Sequence, residues 1–456
     1  MNYWIKQKIG WRSATSVVIA NMVGTGVFTT LGLQLEVVQN GWSILLLWVG
    51  GAIISLLGAF SYAEVGTHLP RSGGEYHFLS RTVHPVVGYL SGWVSLTVGF
   101  AAPIALAAMA MGAYLEDQFP FSANGIALST ILVISLMHSF SLRKSSGFQN
   151  FLTLLKLGML VLLVVIGLGG GSNQSPLDWG NTWRTDIFQS GYAVALIYVT
   201  YAYSGWNAAA YIVGEIRQPG RHLPIALIGG TLTVSVLYIL LQFALLRQAP
   251  IFALQGQVEI GQIAAEYMLG NSGARWVSVL IAFLLVSSIS AMIWVGPRIS
   301  RAMSADYRLW RFLNIDNRHG VPVRAIWFQS AISMLLILTG SFESVLLYSG
   351  FVLQLFTAIT VGSVFRLRRG QRRTDVYRSP GFPWVQLAYI GISVWIIVFT
   401  IWDQPLASLI GLGNLGFGLL TWFLAWKLQK RTGSAHALST RSDEVRENRM
   451  ERVPEA

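Results

Sequence analysis

Long apolar segments recur along the whole chain and alternate with short polar ones. Segments such as 152–168 and 226–246 are apolar on every side, so they lack the two-residue alternation of a barrel strand. A helix of about 20 residues crosses about 30 Å of hydrocarbon, so the pattern predicts an all-α polytopic membrane protein with about twelve transmembrane helices. The predicted spans lie near residues 13–35, 42–66, 84–115, 124–142, 148–169, 186–214, 222–247, 272–302, 323–341, 344–366, 382–402 and 405–427.

The composition agrees with a surface that faces lipid. Of the 456 residues, 53% are hydrophobic and 11% are charged, whereas roughly a quarter of the residues in soluble domains are charged. The chain has no cysteine, which excludes disulfides, thiolate metal sites and thiol nucleophiles. Residues 428–456 mix arginines with acids and lack an apolar face, so we expect a disordered tail there.

Basic residues are distributed unevenly between the two sets of loops. All of the 32 Lys and Arg residues lie on the N-terminal side of the predicted spans, except Arg184, Arg247 and Arg275 on the other side and Lys156 within a span. An excess of Lys and Arg marks cytoplasmic loops. We therefore expect both termini in the cytoplasm of a bacterial cell, with the chain in the inner membrane. The bases are scattered over many loops, so the net charge of +12 indicates anionic lipid and not nucleic acid.

Two of the predicted spans are interrupted by small and polar residues. The first contains the run Asn21, Met22, Val23, Gly24, Thr25 and Gly26, and the sixth contains Tyr201, Ala202, Tyr203, Ser204, Gly205, Trp206 and Asn207. Close helix packing explains one such run equally well. Two interrupted helices five spans apart are typical of inverted-repeat transporters, whose substrate site lies at the midplane between them.

A broken helix offers binding groups for both ends of an amino acid. The N–H groups of Gly24, Thr25 and Gly26, with the Thr25 hydroxyl, are suited to a carboxylate at the positive end of a half-helix. Carbonyls of Asn21 and Met22, and those of residues 201–204, are suited to an α-ammonium. Unpaired backbone is tolerated at that depth only where it lines a polar cavity.

Four motifs resemble those of the amino acid, polyamine and organocation permeases, most closely the L-type amino-acid transporter branch and its bacterial relatives. They are Val23-Gly24-Thr25-Gly26-Val27-Phe28; Ser61-Tyr62-Ala63-Glu64-Val65-Gly66 with Pro70-Arg71-Ser72-Gly73-Gly74-Glu75-Tyr76; Tyr203-Ser204-Gly205-Trp206-Asn207 with Gly214-Glu215-Ile216; and Gly296-Pro297-Arg298 with Arg301-Ala302-Met303-Ser304-Ala305-Asp306.

The resemblance implies a leucine-transporter-type five-plus-five inverted repeat with two extra C-terminal helices. A cytoplasmic N-terminus over 1–12 would be followed by the repeats over 13–169 and 186–366, two further spans over 382–427 and the tail over 428–456. The resemblance matches the family's carboxylate-binding positions to Gly24, Thr25 and Gly26. It matches the aromatic residue that closes over substrate to Tyr201, and nearby pocket positions to Ser204 and Trp206. Ser204 replaces the glycine common in the L-type branch, which changes the size of the pocket.

Animal members of that branch are linked to a single-span heavy chain through a cysteine after the third span. The corresponding segment here, 116–124, has no cysteine. We therefore expect a stand-alone permease without a disulfide-linked heavy chain.

Lys156 lies inside the fifth predicted span, where a charge costs several kcal/mol. One interpretation is a lysine that extends to the membrane edge. The resemblance implies another, in which its ammonium takes the place of a sodium ion between helices one and eight. Carbonyls of the first break and the hydroxyl of Ser287 or Ser288 would accept its hydrogen bonds. Transport would then be independent of sodium, and proton coupling stays open because a buried lysine loses its proton readily.

These features predict a secondary transporter of small, neutral L-amino acids. The alternative is an exchanger of cationic amino acids or polyamines, which needs an acid at pocket depth, and spans 1, 3, 6, 8 and 10 contain none. An enzyme is disfavoured because paired carboxylates and metal-ligand spacings are missing from the spans, so we expect no catalytic residue, cofactor or metal. We expect Glu64 and Glu215 to pair with loop arginines, His138 to be a core residue, and Asn207 to bond the substrate region or cap exposed backbone.

Overall fold

The computed structural model describes residues 9–140, 145–169, 179–318, 321–369 and 376–431. Most of the predicted tail over 428–456 lies outside these residues. The α-helices of the described part are α1 (Trp11–Met22), α2 (Gly26–Val37), α3 (Gly41–His68), α4 (Glu75–Thr82), α5 (Pro85–Val94), α6 (Ala101–Glu116), α7 (Ala123–Phe140), α8 (Ser145–Gly169), α9 (Trp183–Asp186), α10 (Ser190–Ala202), α11 (Ala208–Tyr211), α12 (Pro219–Gln248), α13 (Ile251–Leu254), α14 (Ile260–Val295), α15 (Pro297–Asp306), α16 (Val323–Thr339), α17 (Phe342–Leu367), α18 (Trp384–Asp403) and α19 (Pro405–Arg431).

The described helices confirm an all-α polytopic membrane protein. Nine helical segments in this part are long and apolar enough to cross a membrane, and three shorter apolar helices lie at Thr153–Gly169, Ser190–Ala202 and Val323–Thr339. Large apolar side chains such as Leu154, Leu338 and Leu406 are at least 66% exposed on the outside of the bundle. Such a surface is stable against lipid and not against water. The number of twelve spans stays a prediction.

Some helices begin or end at other residues than the predicted spans, and local backbone geometry accompanies the differences. The sixth span begins at Ser190 and not at 186, because the short helix α9 precedes it. Helix α14 begins at Ile260 and bends at Gly270, whose φ of 72° is a conformation that favours glycine. It ends at Val295, and Pro297 begins α15, since proline suits the first turn of a helix.

Two spans are broken near their middles. The first is divided into α1 and α2, which are separated by residues 23–25, and the sixth is divided into α10 and α11, which are separated by residues 203–207. Within the second break Gly205 has a φ of 96°, a conformation that favours glycine. The interruptions predicted from small residues are therefore real changes in backbone path.

Hydrogen bonds near the first and last described residues show that both lie at the same end of the bundle. Ile9 N–H donates to the Glu215 carbonyl at 2.8 Å. Near the other terminus, Gln429 Nε2 donates to the Asp306 carbonyl at 2.6 Å. Asp306 also accepts from Tyr76 at 2.6 Å, and Arg298 pairs with Glu215 at 3.3 Å. We call this the basic end of the bundle.

An ion pair at the basic end fastens α3 to the segment between α17 and α18. Glu64 is fully buried, and its two carboxylate oxygens accept from Nε and Nη2 of Arg368, each at 2.7 Å. The Ser379 N–H donates to the same carboxylate at 2.8 Å. The predicted pairing of Glu64 with a loop arginine is thus confirmed.

Glu64→Ala removes the counter-charge of Arg368 and the acceptor of the Ser379 N–H, and leaves Arg368 only the Ser379 carbonyl as an acceptor. Loss of one partner of a buried ion pair costs on the order of 3–5 kcal/mol. We therefore expect this variant to unfold at a clearly lower temperature in detergent. Intrinsic fluorescence reports the transition, since the chain has 17 tryptophans.

Arg71→Met is the matched control. Arg71 lies 3.9 Å from Asp306, and the two side chains are 49% and 32% exposed. An exposed pair contributes about 0–1 kcal/mol, so this variant should melt close to the wild type. Equal losses in the two variants would contradict the role of the Glu64 pair.

Candidate functional site

The two helix breaks lie in direct backbone contact. A Cβ atom on Gly26 would lie 2.3 Å from the Ala202 Cα, and one on Gly205 would lie 2.6 Å from the Asn21 carbonyl. Real Cβ atoms do not approach backbone so closely, so both positions require glycine. The start of α2 therefore rests against the end of α10, and the second break rests against the end of α1.

Part of the first break is already hydrogen-bonded within the protein. The Met22 carbonyl accepts from the Gly24 N–H at 2.8 Å and from the Tyr238 hydroxyl at 2.6 Å. Gly24 and Met22, both predicted to contact substrate, are thus paired with each other in this conformation. The first N–H groups of α2, at Gly26 and Val27, have no carbonyl one turn earlier in the same helix.

Lys156 is fully buried and holds three elements together. Its ammonium donates to the Ser288 hydroxyl at 2.6 Å, to the Val23 carbonyl at 3.1 Å and to the Ala20 carbonyl at 3.5 Å. It therefore points at the first break and not at the membrane edge. Of the two serines predicted as acceptors, Ser288 makes the contact, and the buried Ser287 hydroxyl has no partner among the described residues.

A cavity of about 100 Å³ lies beside the second break. Seven of the predicted spans and the loop helix α4 contribute to its wall. It is lined by Asn21, Ile54, Ser55, Glu75, Gly99, Phe100, Pro103, Thr200, Tyr201, Ser204, Gly205, Trp206, Asn207, Ala208, Tyr211, Met292, Val295, Gly350, Leu353, Gln354, Thr357 and Tyr389.

The predicted site residues divide into two groups around this cavity. Asn21, Tyr201, Ser204, Trp206 and Asn207 line it. The remaining predicted residues of the breaks do not line the cavity: Met22, Val23, Gly24, Thr25, Gly26 and Ala202. Among them, Gly26 and Ala202 form part of the backbone contact between the two breaks.

Asn207 has a partner that the sequence did not indicate. Its Nδ2 donates to Glu75 Oε1 at 3.1 Å, and the same oxygen accepts from the Tyr62 hydroxyl at 2.5 Å. Asn207 therefore bonds a carboxylate that lines the same cavity, and its predicted role toward substrate stays a prediction. Tyr62 in turn packs edge-on against Trp206, with ring centroids 4.8 Å apart.

Glu75 is the cavity residue that sequence reasoning missed. No acid lines the cavity from the spans, as predicted, but α4 inserts one from the loop after α3, and Glu75 is 2% exposed. Gly74 allows this insertion: its φ is 56°, and a Cβ there would lie 2.3 Å from the Tyr211 ring. The two adjacent glycines, Gly73 and Gly74, are the sequence feature that could have indicated this turn into the cavity.

Three other polar residues have structural partners. Glu215 pairs with Arg298, as predicted, and the Arg298 guanidinium lies 3.7 Å from the centre of the Trp294 ring. His138 bonds the Ser290 hydroxyl at 2.8 Å. Within the described ranges, no group of three or more His, Asp or Glu residues is arranged to hold a metal ion.

Comparison with known proteins gives a consistent result. The family model described as "Amino acid permease" matches residues 9–418. The chain is 27% identical to the serine/threonine exchanger SteT of Bacillus subtilis, over 90% of this chain and 96% of the relative. It is 26% identical to the b(0,+)-type amino acid transporter 1 of Oryctolagus cuniculus, over 80% and 76% of the two chains. It is 25% identical to the large neutral amino acids transporter small subunit 2 of Mus musculus, over 92% and 81%.

Gly26→Ala should separate the two breaks. The new methyl group would meet the backbone of Ala202, which has no flexible end to move aside. Overpacking costs typically about 1–3 kcal/mol. We expect a lower melting temperature in detergent, and Gly26→Val should show a larger loss.

Gly24→Ala is the control for this prediction, since a Cβ there meets only the Met22 carbonyl at 3.9 Å. Its melting temperature should stay near that of the wild type. If Gly24→Ala and Gly26→Ala melt alike, close approach is not the reason for glycine at position 26.

Proposed function

This chain belongs to the amino acid permease family, and we propose that it is a secondary transporter of small, neutral L-amino acids that works by alternating access. It carries its substrate chemically unchanged and needs neither sodium nor a cofactor. The observation that carries the proposal is the pair of broken helices in backbone contact beside a cavity. Discontinuous helices at the midplane are how membrane transporters present charged backbone ends to a zwitterion.

In this proposal the substrate carboxylate binds at the start of α2. The N–H groups that open this helix, with the Thr25 hydroxyl, supply donors at the positive end of the helix dipole. Carbonyls around the end of α10 accept from the α-ammonium. Tyr201 forms the aromatic wall, and Ser204 occupies space that a glycine would leave open, which favours a small side chain.

The names of the relatives support neutral substrates and exchange. One relative is named for serine and threonine exchange, and another for large neutral amino acids. The alternative, an exchanger of cationic amino acids or polyamines, has one observation in its favour, since Glu75 lines the cavity. We favour neutral substrates because the Glu75 carboxylate already accepts hydrogen bonds from Tyr62 and Asn207.

Lys156 acts in this proposal as a fixed cation in place of sodium. Its ammonium joins the Val23 carbonyl in the first break to Ser288 on α14. A bound sodium ion would draw the same kinds of oxygen atoms together. With the lysine present, the first break keeps its shape without an added ion.

The remaining proposals concern the setting of the protein. Both termini are cytoplasmic in a bacterial inner membrane, residues 13–169 and 186–366 are inverted repeats, and the chain works without a disulfide-linked heavy chain. The Lys/Arg bias supports the orientation. The contacts that place Ile9 and Gln429 at one end of the bundle support a common side for the termini.

Reporter fusions test the orientation. A fusion after residue 431 and one in the loop between α17 and α18 should both report cytoplasm, because both positions belong to the basic end. A periplasmic signal from either fusion would overturn the orientation.

Counterflow in proteoliposomes tests the function. Vesicles loaded with unlabelled L-serine should accumulate radiolabelled L-serine equally in sodium and in choline buffers. Vesicles loaded with lysine or putrescine should drive little uptake. Strong uptake driven by lysine or putrescine would favour the cationic alternative, and a need for sodium would overturn the role of Lys156.

In the same assay, Lys156→Met deletes the ammonium but keeps an apolar side chain of similar length. The Val23 carbonyl and the Ser288 hydroxyl then lose a buried donor, which costs about 1–3 kcal/mol. Transport should fall roughly five- to a hundredfold.

Two adjacent serines provide matched variants for the lysine contact. Ser288→Ala, which removes an acceptor of Lys156, should weaken transport, whereas Ser287→Ala removes a hydroxyl that has no partner among the described residues and should not. Normal transport by Lys156→Met would contradict the proposed role.

A further inference from the structure

Glu75 is a buried carboxylate that the transport proposal does not use. Its Oε1 accepts hydrogen bonds from Tyr62 and Asn207, and the Ser91 hydroxyl lies close enough to the carboxylate to act as a further donor. Within the described part of the chain Glu75 forms no ion pair. A buried charge without a counter-charge is unfavourable, so the group either neutralises or meets a cation.

We propose that Glu75 is a proton-binding site of the transporter, and this proposal rests on the transport function above. Oε2 holds a proton while the cavity is closed and releases it to water when the cavity opens. Substrate binding, which closes the cavity, therefore takes up a proton from solution. No other reactant is needed, since water supplies the proton and receives it again.

The surroundings of Glu75 suit a neutral carboxyl. The groups that face it are the phenols of Tyr62 on α3, Tyr211 on α11 and Tyr389 on α18, with the Ser91 hydroxyl on α5. None of these groups is a cation. The Ser91 hydroxyl is fully buried and faces the Glu75 carboxyl group, so it can donate to the carboxylate or accept from a protonated Oε2.

Burial raises the pKa of Glu75 to about 7, although hydrogen bonds from Tyr62, Asn207 and Ser91 act in the opposite direction. Glu75 belongs to the loop helix α4 and not to a span. On the same helix, burial and the charges of Arg71 and Arg81 lower the pKa of His77 to about 3, so His77 adds no positive charge near neutral pH. Access of water, and not a neighbouring cation, therefore decides the charge of Glu75.

The second break connects Glu75 to the substrate region. Asn207 is the last residue before α11, and Tyr201 and Ser204 line the same cavity. Movement of α11 changes the hydrogen bond between Asn207 and Glu75. Because the pKa is raised in the closed form, protonation stabilises that form, and this stabilisation is lost as the pH rises through about 7.

Substrate affinity as a function of pH tests the proposal. With a pKa of about 7 in the closed form and an ordinary value in the open form, L-serine affinity should fall about tenfold between pH 6 and pH 8. In lightly buffered detergent at pH 7, a pH-sensitive dye should register about half a proton taken up per L-serine bound. In Glu75→Gln the L-serine affinity should change less than twofold between pH 6 and pH 8, and L-serine binding should take up no proton.

Two further variants keep the test decisive. Tyr62→Phe removes a hydrogen bond that lowers the Glu75 pKa, so the fall in affinity should move to higher pH even if Glu75→Gln does not fold. Glu343→Gln is the matched control, because Glu343 accepts from the Tyr198 hydroxyl at 2.7 Å but does not line the cavity. It should bind L-serine with the pH dependence of the wild type.

Each contrary result has a distinct meaning. L-Serine binding without proton uptake in the wild type, or unchanged uptake in Glu75→Gln, would overturn the proton site alone. Lysine that competes with L-serine in the wild type but not in Glu75→Gln, without proton uptake, would replace the proton site with a site for a cationic side chain. Absence of binding by all common amino acids would overturn the transport function and this proposal together.

Discussion

The structure depends on the contact between two interrupted helices at Gly26 and Gly205. In hydrocarbon every backbone N–H and C=O must have a partner, so a break in a spanning helix is unfavourable unless protein or a polar cavity surrounds it. Here each break lies against the backbone of the other span. The contact leaves no room for a Cβ, and it places the second break beside a cavity.

A buried ionisable side chain lies beside each of the two breaks. Lys156 donates to the first break and to Ser288, so its charge is distributed over a hydroxyl and two carbonyls. Glu75 approaches the second break from a loop and accepts from Tyr62 and Asn207. The Lys156 ammonium thus lies at the carbonyl end of α1. The Glu75 carboxyl group is hydrogen-bonded to Asn207, in the segment between α10 and α11.

Some of these features were predictable from the sequence because they depend on local composition. Apolar runs of membrane length indicate the spans, and clusters such as Gly24-Thr25-Gly26 indicate a break, since small residues weaken a helix wherever they occur. A lysine within a span must have acceptors, and the family resemblance made Ser288 one of two candidates. Pairing of Glu64 with an arginine followed from the many basic residues in the same set of loops.

Other features depend on tertiary packing. Tyr238 is one tyrosine in a long apolar helix, and nothing near it in sequence indicates that its hydroxyl bonds the Met22 carbonyl 216 positions away. The depth of Glu75 depends on how α4 lies against Tyr211, which is set by the φ of Gly74. The composition of the spans therefore does not indicate an acid that enters the cavity from a loop.

Three glutamates show that the counter-charge, and not residue type, separates structural from chemical roles. Glu64 and Glu215 each have an arginine within 3.3 Å, and their charges are neutralised in place. Glu75 has only phenol, amide and hydroxyl groups around it and a cavity on one side. Exclusion of water from such a position disfavours the ionised form of a carboxyl group. Any motion that admits water to the cavity must therefore change its protonation, and by the same linkage its protonation must affect that motion.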